Sequence, residues 1–133
     1  MSHRRPALSP TLVVEDDPVL RAAIAGALED AGFHPVECAD LTTARATIAR
    51  MRPSVVVLDL SLEGEFGGDL LEELAREEDA PAVVVCSAFR LAHMVAARFA
   101  VPCVEKPFEI ETLVKTVESA FDERRRPQRK ASG

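Results

Sequence analysis

Short apolar runs at residues 11–14, 55–58, 83–86 and 101–104 each lead into a polar or charged residue. Runs this brief, apolar throughout rather than alternating, predict strands buried on both faces. The stretches between them carry helical spacing. Asp17 is placed to cap a helix with Pro18 in its first turn, where a missing N–H costs nothing. Leu20, Ala23, Ile24, Ala27 and Leu28 give that helix an apolar face, and Gly32 ends it. A second strand is expected over 33–38. Asp40 then caps a helix with Leu41, Ala44, Ile48 and Met51 on one side, stopped by Pro53. After the strand at 55–58, Gly64, Gly67 and Gly68 predict a flexible loop, followed by a helix over 69–77 that buries Leu70, Leu71 and Leu74. The remaining pattern predicts a strand at 82–87, a helix at 90–99, a strand at 101–104 and a last helix from Glu109, burying Leu113, Val117 and Phe121.

Strands alternating with helices at this spacing form right-handed βαβ units. The expected fold is α/β: a flavodoxin-like (βα)5 three-layer sandwich around a parallel five-stranded sheet of order 2-1-3-4-5. With 133 residues, 47% of them hydrophobic, the chain is long enough for one full core and is not disordered in character. The expected organisation is an N-terminal segment 1–9, one domain over 10–123, and a basic, disordered tail over 124–133. All 22 acidic residues but only 9 of the 16 Lys and Arg fall within 11–123, a net −13, and the two ends carry +7. An acidic body argues against direct DNA binding. No apolar stretch approaches membrane-spanning length and no secretory signal opens the chain, so a cytoplasmic location is expected. Cys38, Cys86 and Cys103 lack CxxC spacing and read as buried free thiols.

The polar residues that follow the strands carry the chemistry. In an open α/β sheet, ligands bind outside the carboxyl ends of the strands. Glu15, Asp16, Asp59, Ser87 and Lys106 would all converge there. Clustered carboxylates raise one another's pKa and need a cation. Hard oxygen donors suit Mg²⁺, which keeps several waters and often shares its sphere with phosphate. Asp16 and Asp59 are the expected direct ligands, Glu15 acts through water, and the Ser61 carbonyl is the neutral ligand. Asp59, ending the central strand, is also the expected nucleophile, forming an acyl phosphate. Lys106 and Ser87 would neutralise and bond the phosphoryl oxygens.

These segments resemble the receiver domain of two-component response regulators: 12–21 (LVVEDDPVLR), 57–64 (VLDLSLEG), 86–88 (CSA) and 105–108 (EKPF). The resemblance covers about residues 10–123. It implies that Asp59 accepts phosphate from a histidine kinase or histidine phosphotransfer protein, and that Lys106–Pro107 is a cis peptide. Two positions depart from the family pattern. Cys103 stands where an aromatic is usual, and Glu63 where Pro is common. With Cys103 too small for a large swing, the expected moving aromatic is Phe89. The functional expectation is a stand-alone phosphorelay switch, not an enzyme, whose output is contact with a downstream protein. The apolar fourth helix is the expected surface for that partner or for a homodimer. A phosphorylation-independent pseudo-receiver and a receiver piece of a longer hybrid kinase or regulator are the alternatives. No glycine-rich phosphate fingerprint follows the first strand, which argues against a nucleotide-binding protein of this fold.

Overall fold

The computed structural model describes residues 10–125. Its elements, in chain order, are β1 (Thr11–Val14), α1 (Pro18–Asp30), β2 (Pro35–Cys38), α2 (Leu41–Met51), β3 (Val55–Leu58), β4 (Ser61–Leu62), β5 (Glu65–Phe66), α3 (Gly68–Ala75), β6 (Ala82–Ser87), α4 (Ala92–Arg98), β7 (Cys103–Glu105) and α5 (Ile110–Arg125). Five strands form one parallel sheet in the order β2-β1-β3-β6-β7. This is the expected 2-1-3-4-5 arrangement.

Alternation within the strands builds two cores. Leu12, Val14, Val56, Leu58, Val83 and Val85 pack against α2, α3 and α4. Val13, Val55, Val57, Val84 and Cys86 face α1 and α5, where Ile24, Leu28, Leu113, Val117 and Phe121 close the layer. β1 and β3 are buried along their whole length, which is why they read as unbroken apolar runs. Truncating Leu58 to Ala would cost about 2–5 kcal/mol.

Several local expectations need correction. Met51 is exposed at the end of α2. The buried side of that helix uses Thr47 instead, whose hydroxyl donates to the Thr43 carbonyl at 2.8 Å. In α1, Ala23 is exposed and Ala25 is buried. The fourth helix spans only seven residues, and β7 begins at Cys103, later than expected. The reason is that the Val101 amide donates to the Ala96 carbonyl at 3.0 Å, with Ala100 at φ +56°. Val101 therefore finishes the helix and does not start the strand. The expected flexible loop after β3 is an antiparallel hairpin, β4–β5, turning at Glu63 and Gly64. α5 continues through Arg124 and Arg125; the Arg124 guanidinium donates to the Ala80 carbonyl at 3.0 Å. The rest of the expected tail, and the N-terminal segment 1–9, lie outside the described residues.

Candidate functional site

The sheet ladders run one residue beyond the strands and set the site in register. The Glu15 amide donates to the Cys38 carbonyl at 3.0 Å, the Asp59 amide to the Val14 carbonyl at 3.1 Å, and the Lys106 amide to the Ser87 carbonyl at 3.1 Å. Glu15, Asp59, Ser87 and Lys106 thus emerge at one edge, from β1, β3, β6 and β7. Asp17 stays apart: its carboxylate caps α1 by accepting from the Val19 and Leu20 amides at 3.0 and 3.3 Å.

One oxygen from each of Glu15, Asp16 and Asp59 lies within 4.8 Å of the others. Glu15 and Asp59 are buried and Asp16 is half-buried. The Lys106 ammonium bridges Glu15 Oε1 at 2.7 Å and Asp59 Oδ2 at 2.9 Å. Three carboxylates therefore face one ammonium, and two negative charges remain. Burial pushes the Glu15 carboxyl above its ordinary range, and the Asp59 charge adds to that push. The Lys106 bond and the Asp17 amide oppose it. For Lys106, burial works downward, but its bonds to Glu15 and Asp59 outweigh that and hold the ammonium above its usual range.

The remaining donors are main-chain amides. Ser61 N–H donates to Asp59 Oδ1 at 2.9 Å, and Glu63 N–H donates to Asp16 Oδ2 at 2.7 Å. Ser87 is fully buried, and its hydroxyl oxygen accepts from the Phe89 amide at 3.1 Å. The Lys106–Pro107 peptide is cis. The arrangement offers a cation a hard, oxygen-only pocket. It also presents a buried carboxylate beside an ammonium, with Ser87 at the same edge of the sheet.

Two contributors are invisible in the residue pattern. Arg21 Nη1 donates to the Glu15 carbonyl at 2.9 Å while its Nε pairs with Glu37 at 3.1 Å, tying the acidic loop that joins β1 to α1 onto β2. Arg21 lies six residues beyond Glu15, and that spacing along α1 was its only signal. Gly67 is the second. A side chain there would collide with the Asp59 carbonyl. The Gly67–Gly68 pair one turn after Asp59 marked a close approach rather than freedom.

Residues 11–118 match the family described as the response regulator receiver domain. The nitrogen assimilation regulatory protein NtrX of Azorhizobium caulinodans is 35% identical over 116 residues, which are 84% of this chain and 26% of that protein. The probable transcriptional regulatory protein TcrX of Mycobacterium tuberculosis is 36% identical over 108 residues, 77% of this chain and 45% of its own length. The chain thus spans less than half the length of these relatives. Among solved structures, NtrX from Brucella abortus superposes with a TM-score of 0.78 at 30% identity, covering 87% of this chain and 27% of that one. A CheY-like receiver domain protein from Methanospirillum hungatei shares the fold alone, with a TM-score of 0.79 at 18% identity and coverage of 88% and 96%. With its five-stranded parallel sheet and the acidic cluster at the strand ends, the chain belongs to the response regulator receiver domain family.

Proposed function

We propose that the protein is a Mg²⁺-dependent phosphoacceptor switch in which Asp59 takes a phosphoryl group from a phosphohistidine. The donor is a histidine kinase or a histidine phosphotransfer protein. The observation that carries this reading is the buried Asp59 carboxylate, bonded on one oxygen by the Ser61 amide and on the other by Lys106. A buried carboxylate supported in this way is held in one orientation.

Asp16, Asp59 and Glu15, with the Ser61 carbonyl, would hold the cation, and the all-oxygen donor set within 4.8 Å fits Mg²⁺. When bound, the ion supplies positive charge to a phosphoryl oxygen. An Asp59 carboxylate oxygen attacks phosphorus as the P–N bond of the phosphohistidine breaks. The bonding pair leaves with the imidazole nitrogen, and an acyl phosphate remains on Asp59. Lys106 shifts from bridging two carboxylates to pairing with a phosphoryl oxygen, and the Ser87 hydroxyl donates to another. One phosphoryl group is stored for each transfer, so the chain acts as a switch rather than as an enzyme acting on a substrate pool. Its charge state would then alter contacts with a downstream protein. The α4 region, where Leu91 and Met94 are exposed, offers an apolar surface for that partner or for a second copy.

The test is mass spectrometry after acetyl phosphate and Mg²⁺ treatment. Wild type should gain one phosphoryl group, Asp59→Asn none, and Asp16→Asn should need far more Mg²⁺. Undiminished labelling of Asp59→Asn would remove the assignment.

A further inference from the structure

The β4–β5 hairpin holds two of the three site carboxylates through its backbone. Ser61 N–H bonds Asp59 and Glu63 N–H bonds Asp16. Strands of two residues do not sustain themselves, so something outside the hairpin must fix the direction of those amides. Leu62 anchors it by burial in the core on the α2–α4 side. Glu65 Oε1 accepts from the Leu41 amide at 3.0 Å, tying β5 to the start of α2. The Gly67 amide donates to the Leu60 carbonyl at 2.7 Å.

Phe66 remains to be explained. It is 39% exposed and joins neither core cluster, so core packing does not account for a large aromatic there. Its ring lies over Gly68, where any side chain would strike it. It meets the Phe89 ring edge-on, with centroids 5.6 Å apart and planes at 61°, a favourable aromatic geometry. Phe89 in turn donates its amide to the Ser87 hydroxyl at 3.1 Å. One ring thus joins the hairpin that holds Asp59 and Asp16 to the loop that holds Ser87.

We propose that Phe66 is a positioning residue for the acid site. Clamped between Gly68 and Phe89, it holds the hairpin so that the Ser61 and Glu63 amides aim Asp59 and Asp16 at one cation. It also couples that aim to the placement of Ser87. This inference rests on the phosphoacceptor reading and adds an exposed residue that touches none of the reacting groups.

The experiment is calorimetric titration of Mg²⁺ into wild type, Phe66→Ala and Phe66→Met, with melting temperatures and acetyl phosphate labelling over a Mg²⁺ series. Loss of groups that orient metal ligands typically weakens affinity by 10-fold or more, so Phe66→Ala should raise the Mg²⁺ dissociation constant on the order of tenfold. Half-maximal labelling should move to higher Mg²⁺ by the same factor, with the rate returning towards wild type at saturation. Phe66→Met, which keeps an apolar chain of similar reach, should recover most of the affinity. If Phe66→Ala does not fold, Phe89→Leu carries the test, because it removes the ring contact from the other side. Weakened Mg²⁺ binding with an unchanged melting temperature supports the proposal. Wild-type affinity in a folded Phe66→Ala or Phe89→Leu overturns it. A wild type that takes no phosphoryl group overturns the phosphoacceptor reading instead.

Discussion

Cys86 and Cys103 sit on neighbouring strands but face opposite sides of the sheet, one towards α1 and α5, the other against the α2–α4 core. Burial pushes the Cys86 thiol up to about 12, and Cys103, only partly buried, is raised by burial and then by the Glu105 charge. Only the thiolate reacts, so native protein at pH 8 should alkylate at Cys103 well before Cys86. Peptide mapping after iodoacetamide reads the order, and equal labelling of both would contradict the packing. At this scale the sequence was informative where chemistry belongs to a side chain. Asp59 stood out because a charge directly after Val55–Leu58 needs compensation, and Lys106 provides it. The links made by main-chain amides carried no such sign. Any residue but proline at 63 would offer Asp16 the same N–H, from a position 47 residues away.

Two helices end in the same motif with different residues. After α1, the Phe33 amide donates to the Leu28 carbonyl at 3.0 Å and Gly32 takes φ +98°. After α4, the Val101 amide donates to the Ala96 carbonyl at 3.0 Å and Ala100 takes φ +56°. Glycine enters the left-handed region freely, whereas alanine's Cβ crowds its own carbonyl. Ala100→Gly should therefore stabilise the domain by roughly 0.5–1 kcal/mol after the greater freedom of the unfolded chain is counted. Thermal melts should rise by roughly 2–4 °C, and a fall would show that α4 depends on alanine there. The same comparison explains which boundaries were legible. Gly32 announces the end of α1. Nothing announces Ala100, and Val101 has strand propensity but is captured by the helix. The hairpin was illegible for a related reason: strands of two residues are too short for any period, and crowded glycines look like loose ones.

For the molecule as a whole, the layer order and strand order followed from the buried runs, since only a parallel sheet covered on both faces suits them. How the proposed phosphoryl group on Asp59 would be felt at the surface was less visible. Cys103 is small, and it packs against the α2–α4 core without a ring to swing. The aromatic pair Phe66–Phe89 lies instead between the hairpin and the loop leading to α4. A beryllofluoride mimic of the phosphoryl group should shift backbone amides most at residues 61–66 and 87–99. Changes centred on Cys103 and β7, with Phe66 and Phe89 static, would refute this route. Any shift requires the mimic to favour one arrangement over the other.

Asp59 hangs from β3, a strand bonded to β1 on one side and β6 on the other. Moving it would break two ladders at once. As the proposed phosphoacceptor, the carboxylate would be in effect a fixed electrode: its charge would change while its mounting stays in place. The response would then fall to the hairpin and the α4 loop, which no ladder of the five-stranded sheet holds. A stiff centre would make such a device reproducible, because each charging event would begin from the same coordinates.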